Sequence, residues 1–500
     1  MKIRIQYIAA PAIALAAAIS SCESFTDIDQ KGMNLLTKTS DLELLLNRDA
    51  YGWYADMGMV CGDLITGDGY LPTELDKTTK TFNMILTTWD EEAHATIFPA
   101  LTSDDGDYES YYSKIGKVAN PILKKVDEAE GPEDHKNRLR AEAYTIRAYY
   151  HFLVAQKYAR PYNPATAETE SCIPYLLETH NIQEPTVQET QKVVYTNILA
   201  DLDRAIQLDC LPEEAINRER FCAAMPYAVK AHVLMAMQDY DGAVEAAKDA
   251  LSHGDVINDY GTMLRDDVSY GGLPIKQLII GPQLTLEEDY FTSCNQNLGF
   301  LNGLTTPYCK SMFEPGSYKL ENYPMQSLVY KGMYDPEDPE KDRIGFENEM
   351  IGYYGVPFDS AYDMEGQNNM LGIKTTHMYL ILAECALHDN DITGAMRELD
   401  KIRVKRINPD VYQPLENRVT QKDEAIRYIK MTCHGEYVYS MWNFFNRKRW
   451  TLLDDYKETL TRELCGRTFT LKPESDMWVF PIPRAVILQN PNLHHNYPTR

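Results

Sequence analysis

The chain has 500 residues, 44% hydrophobic and 25% charged, enough to bury a substantial core and too apolar to be disordered throughout. Its formal net charge of −25, with no basic stripe, argues against a nucleic-acid partner. Acidity otherwise suits solubility and neutral ligands.

Lys2 and Arg4 precede an apolar run from Ile8 to Ile19, too short to be a permanent membrane span. Ile19-Ser20-Ser21-Cys22 follows, a small-residue cleavage site with a cysteine directly after it. This arrangement reads as a secretory signal over residues 1–21 and resembles the bacterial lipobox, with Cys22 as the lipid-bearing residue. Residues 22–39 read as a tether and 40–500 as one domain. No later apolar run is long enough to span a bilayer, so the expected chain is anchored to a membrane rather than inserted.

Leu42 to Leu46 suggests a short helix capped by Ser40 or Asp41. Residues 55–107 lack clear periodicity and read as loops. Tyr112, Ile115, Ala119, Ile122 and Val126 share one helical face, with Pro121 expected to kink it. After Gly131-Pro132 comes the most strongly patterned stretch, Arg138 to Arg160. Leu139, Ala143, Ile146, Tyr150 and Leu153 line one face of it, Ala141, Ala148 and Ala155 permit close neighbours, and Pro161 ends it. Tyr195, Ile198, Leu202 and Ala205 mark another helix, and Pro226 fits the first turn of the next. Ala231 and Ala243 flank the turn Gln238 to Gly242. Ala383 and Ala395 flank the turn His388 to Asp391. Both pairs are 12 residues apart, the small-residue spacing of a tetratricopeptide hairpin without its full consensus. The predicted fold is mostly α: degenerate tetratricopeptide-like helical hairpins form a scaffold over about 108–251 and 376–460. A long loop-rich insertion, about 255–375, is expected to carry function. The tail after Trp450 reads as irregular.

Nine cysteines besides Cys22 are scattered without a CxxC pair, so small buried thiols are expected rather than a zinc site or a dense disulfide framework. Asp104-Asp105-Gly106-Asp107 with Glu109 lacks EF-hand spacing and reads as a solvated acidic turn. His494-His495 reads as a surface pair. No phosphate loop or nucleophile signature is present, and no cofactor or metal is expected.

Tyr111–Asn120 (YYSKIGKVAN), Ala141–Tyr150 (AEAYTIRAYY), Met378–Glu384 (MYLILAE) and Pro481–Tyr497 (PIPRAVILQNPNLHHNY) occur in the order found in one family. With the lipobox they resemble the SusD/RagB family of outer-membrane lipoproteins. Phe445–Trp450 (FNRKRW) is similar to that family's aromatic-basic helix end, but Gly435-Glu436 stand further upstream than its usual lead-in. The resemblance implies a non-catalytic glycan-binding lipoprotein exposed at the cell surface. It also implies capture of oligosaccharide or polysaccharide for a TonB-dependent, SusC-like transporter. The alternative is a helical-repeat scaffold that binds protein or peptide in the envelope.

Sugar recognition needs flat apolar rings together with carboxylate and amide groups. Two regions offer that mixture, and the resemblance favours both. The first contributes Asp63, Asp68, Tyr70 and Trp89. The second contributes Asn295, Asn297, Asn302, Tyr308, Tyr318, Tyr323, Tyr353 and Tyr354. Trp89, between Thr87-Thr88 and Asp90-Glu91, is expected to offer one open face.

Overall fold

The computed structural model describes residues 36–47, 54–66, 75–101, 105–181, 183–217, 219–270, 273–278, 286–296, 303–322 and 367–500. Near the N-terminus come α1 (Thr39–Leu45), α2 (Tyr54–Val60), β1 (Leu64–Thr66), α3 (Phe82–Thr88) and α4 (Glu91–Thr96). α1 starts earlier than its apolar residues suggest: Lys38 is the N-cap, and Asp41 accepts from its N–H at 3.2 Å. The loop reading of 55–107 is corrected by α2, α3 and α4. At six or seven residues they are too short to show a period, and side-chain caps fix α3 and α4. Thr81 accepts from Met84 N at 3.1 Å and Asp90 from Ala93 N at 2.9 Å.

The next helical face is built as α5 (Asp107–Lys114), a π-helical turn at Ile115–Ala119 and α6 (Asn120–Lys125). The wide turn directly before Pro121 accommodates the missing N–H and the ring, so the face stays continuous: Ile115, Ala119, Ile122 and Val126 are all buried. α7 (Glu133–Tyr158) is the 26-residue central helix, buried on almost every side from Leu139 onward.

Around α7 the hairpins stack in series. α8 (Gln191–Leu208) lies against α7. α9 (Ala224–Met237) pairs with α10 (Tyr240–Ser252), and α13 (Thr375–His388) with α14 (Ile392–Arg403); α10 packs on α13. The two hairpins are built alike. Ala231, Ala243, Ala383 and Ala395 are fully buried at the close approaches. Gln238 and Asn390 end the first helices at φ of 63° and 64°, and Asp239 and Asp391 cap the second through Gly242 N (3.1 Å) and Gly394 N (2.8 Å). A Cβ on Gly394 would stand 2.0 Å from Asp391 Oδ2, so glycine is what lets this cap close. α15 (Lys422–Tyr437) packs across α13 and α14, and α16 (Met441–Trp450) follows.

Between α10 and α13 lie β2 (Leu264–Tyr270), β3 (Leu273–Leu278), β4 (Asp289–Phe291), β5 (Cys294–Gln296), β6 (Gly303–Thr305), α11 (Pro307–Ser311), α12 (Tyr318–Asn322), β7 (Gln367–Asn369) and β8 (Ile373–Lys374). β2 and β3 form a hairpin. β4–β8 and β5–β7 pair antiparallel across the insertion, and β1–β6 ties it to the N-terminal helices. The tail is not irregular: β9 (Leu460–Leu464) and β10 (Arg467–Leu471) form a hairpin whose two turn residues, Cys465 and Gly466, have φ of 49° and 70°. After α17 (Arg484–Gln489) the chain docks through Asn496, whose amide donates to Tyr158 O and Cys172 O, each at 2.7 Å. His494 is exposed, and His495 Nδ1 accepts from Ile482 N at 3.2 Å.

Buried charge is the feature that the apolar pattern concealed. Lys157 Nζ, inside α7, donates to Asp107 (2.7 Å), Asp56 (2.8 Å) and Asp105 (3.2 Å). The acidic turn at 105–107 is therefore a solvent-excluded lysine cage rather than a solvated turn. Arg147 makes a two-pronged pair with Asp201, and Arg449 another with Glu384. Lys448 donates to Gln156 O and Ala159 O. The FNRKRW segment is thus a buried clasp between α16, α13 and α7. Among the described residues Cys61, Cys172, Cys309, Cys385 and Cys433 are buried thiols outside any disulfide.

Candidate functional site

Strand pairing brings the two candidate regions together. β1 runs antiparallel to β6, with Leu64 opposite Thr305 and Thr66 opposite Gly303. Thr306 extends the junction: its N–H donates to Asp63 O at 2.9 Å and its hydroxyl to Gly62 O at 2.7 Å. The same hydroxyl accepts from Cys309 N at 3.1 Å and so caps α11, the helix that carries Tyr308. At the neighbouring pair Gln296 lies opposite Gln367. The backbone ends that border 67–74 and 297–302 are therefore side by side, as are those that border 297–302 and 323–366.

Tyr308 is half-buried against Gly62, which holds φ of 90°; a Cβ there would come within 3.3 Å of the Tyr308 ring. Arg447, from α16, has its guanidinium carbon 5.0 Å from that ring's centre and donates to the phenol oxygen. Burial pushes the phenol pKa up, so the hydroxyl stays protonated, and it donates to Glu458 at 3.4 Å.

Asp63 is a correction. It is 0% exposed and serves as a core counter-ion beneath Tyr308 rather than a sugar ligand. Its Oδ2 accepts from Tyr54 OH (2.5 Å), from Cys61 Sγ (3.2 Å) and from the Asn443 amide, while Arg447 stands 3.8 Å from Oδ1. Trp89 is a second correction. It ends α3 in the left-handed region at φ 49° and is 4% exposed. Its Nε1 donates to Val60 O at 3.0 Å, and Arg462 covers its ring at 4.3 Å. Thr87 and Thr88 are buried as well, so the polar neighbours did not signal an open indole.

What Trp89 retains is an edge on an open groove of about 560 Å³ that also includes Leu75, Lys80, Asp90, Phe469 and Lys472. Lys80 pairs with Asp90 at 3.7 Å. The groove therefore offers a half-buried phenyl ring together with cationic, carboxylate and hydroxyl groups, within the size range of small-ligand sites. Leu75 directly follows the 67–74 segment, which joins the groove in sequence to β1. β9 lies between the groove and Tyr308: Arg462 reaches Trp89, and Leu460 lies beside Gly62.

Tyr318 opens α12 over Gly261, and its N–H donates to Arg406 O at 3.0 Å. Asn295 lies in β5 opposite Asn368. Asp68, Tyr70, Asn297, Asn302, Tyr323, Tyr353, Tyr354 and Cys22 lie outside the described residues. The residues missed from sequence, Phe469 and Lys472 on the C-terminal hairpin, had one available signal. Leu460, Arg462 and Leu464 alternate with period two, and all three are buried.

Residues 68–234 match the family model described as SusD-like, starch-binding associating with outer membrane. Over that third of the chain the sequence is SusD-like. Solved SusD-like structures extend the likeness over the fold. A SusD superfamily protein from Bacteroides thetaiotaomicron, 15% identical, matches with a TM-score of 0.61 over 92% of this chain and 100% of its own. One from Bacteroides fragilis, 17% identical, gives 0.60 over 92% and 100%. A SusD-like carbohydrate binding protein from Bacteroides vulgatus, 14% identical, gives 0.57 over 93% and 98%. No curated protein matches the sequence. The expected SusD-like character and the mostly helical, tetratricopeptide-like architecture are both met.

Proposed function

We propose that this SusD-like chain is a cell-surface glycan-binding lipoprotein. It captures oligosaccharide or polysaccharide for uptake through a partner TonB-dependent, SusC-like outer-membrane transporter, and it is anchored through Cys22. The observation that carries the binding role is the groove beside Trp89 and Phe469, joined through 67–74 to the β1–β6 junction below Tyr308. Rings at its border and mixed polar groups across it suit C–H stacking and hydroxyl hydrogen bonds. The family description and the carbohydrate-binding Bacteroides vulgatus neighbour support a sugar as the ligand. The reading is one of binding and hand-over, with no step of bond cleavage.

The test is calorimetry with a panel of short oligosaccharides, which avoids the avidity of polymers. Phe469→Ala and Tyr308→Ala are each expected to weaken binding by about 1 kcal/mol, roughly fivefold, with thermal unfolding run alongside. Parental affinity in both folded variants would place the glycan elsewhere. For the anchor, Cys22→Ala is expected to move the protein from the membrane pellet to the soluble fraction, and protease treatment of intact cells is expected to shave the parent.

A further inference from the structure

Beneath the β1–β6 junction three buried side chains from distant parts of the chain point at one spot. Asp63 follows α2, Cys309 lies in α11 and His434 lies in α15. One ligand atom from each (a carboxylate oxygen, the thiol sulfur and a ring nitrogen) falls within 4.8 Å of the other two. Cys309 Sγ is 3.5 Å from His434 Nε2. That matches the edge of roughly 3.5 Å expected when a sulfur at ~2.3 Å and a nitrogen at ~2.0 Å share one tetrahedral zinc ion. A second, independent observation points to the same spot. Asp63 Oδ1 is fully buried and receives no hydrogen bond, although Oδ2 of the same carboxylate receives three. A buried acceptor without a hydrogen bond, with Arg447 no nearer than 3.8 Å, can bond a cation held between the thiol and the imidazole.

We propose that Cys309, His434 and Asp63 form a binding site for a borderline-soft divalent ion of the zinc class. Cys309 and His434 are already at bonding separation. Asp63, whose ligand oxygen lies within 4.8 Å of the other two ligand atoms, completes the set by a small shift. Sulfur, imidazole and carboxylate together select zinc over calcium or magnesium. On binding, the Cys309 S–H bond breaks, its proton leaves to solvent and the thiolate bonds the metal. Charge supports the site. The ion and the Arg447 guanidinium face the Cys309 thiolate, the Asp63 carboxylate and Glu458, whose oxygen is 3.8 Å from Arg447. Among the described residues the other cluster of this kind, Asp56, Asp105 and Asp107, is already filled by Lys157 Nζ. An ion here would clamp β1 and α11, which border the candidate ligand loops, onto the scaffold helix α15.

The test uses the full mature chain. Protein prepared without chelator is expected to retain about one equivalent of zinc. Cobalt added to the stripped protein is expected to give a tetrahedral spectrum with thiolate-to-cobalt absorption. Cys309→Ser should abolish that absorption, His434→Asn should weaken cobalt binding at least tenfold, and Cys385→Ser, at a buried thiol elsewhere, should leave both unchanged. Should the cluster variants fail to fold, X-ray absorption of the zinc-loaded parent decides: one sulfur with nitrogen and oxygen supports the site, and an all nitrogen–oxygen shell overturns it. Folded parent that retains no metal and gives no cobalt absorption also overturns it, leaving a bridging water on Asp63.

Discussion

Replacing Lys157 with methionine tests whether the carboxylate cage in the central helix is structural. The lysine ammonium is solvent-excluded and is the cation at the centre of Asp56, Asp105 and Asp107. Burial raises the pKa of Asp56 and, even against the lowering pull of Lys157, holds that of Asp107 at about 8. Methionine preserves most of the packing volume and removes only the charge, so the carboxylates repel with no counter-ion. Breaking a buried pair in this way costs about 3–5 kcal/mol. At roughly 2.1 cal/mol/K per residue the unfolding entropy of a chain this long is about 1 kcal/mol/K, so the melting temperature should fall by about 3–5 °C at pH 7. The pH dependence carries the sign. Without the ammonium the Asp56 carboxyl pKa rises further, so acidification protonates it and relieves repulsion. The deficit relative to parent should therefore be smaller at pH 5 than at pH 7. Asp56→Asn added to Lys157→Met should recover part of the loss. A variant that melts within 1 °C of parent, or whose deficit grows as pH falls, would refute the cage as a source of stability.

Ala231→Phe and Ala383→Phe overfill fully buried hairpin contacts and should each cost about 1–3 kcal/mol in chemical denaturation, without change in ligand affinity for folded protein. Burial holds His151 and His232 down to about 3, and His94 and His434 down to about 4. All four are neutral in the fold, whereas the unfolded chain takes up protons below about 6.5. Each histidine thus costs stability by up to about 1.4 kcal/mol per pH unit from 6.5 down to its folded pKa, where the loss levels off. Urea midpoints should drop between pH 7 and pH 5, and a flat profile would contradict the neutral burial.

Much of the scaffold was legible because its cause is local. Alanines 12 apart, a left-handed residue and an Asp-x-x-Gly cap recur at 231–243 and 383–395, and each acts within its own hairpin. The short N-terminal helices were not legible, since six residues cannot display a 3.6-residue period and their caps at Thr81 and Asp90 resemble ordinary loop polarity. The C-terminal hairpin was hidden by its turn, Cys465-Gly466, which lacks the usual Asn or Asp at its first position.

Asp63 and Trp89 were misread for a different reason. Asp63 and Trp89 were chosen for their residue type in a polar sequence context, but burial is decided by what arrives from elsewhere. Arg447 and Asn443 come to Asp63 from more than 370 positions away, and Arg462 comes to cover Trp89 from as far. Those arrivals change the roles of the two residues: the carboxylate anchors the floor under Tyr308, and the indole braces α3 while lending an edge to the groove. The polar groups of the two candidate regions thus divide by depth. The deeper ones join β1, α11 and α16 into one rigid support. The groove beside that support, with Phe469 and Lys472 supplied by the C-terminal hairpin, is left at the surface. Buried ion pairs thus fix the geometry of β1, α11 and α16 from within, independently of the loops that border them.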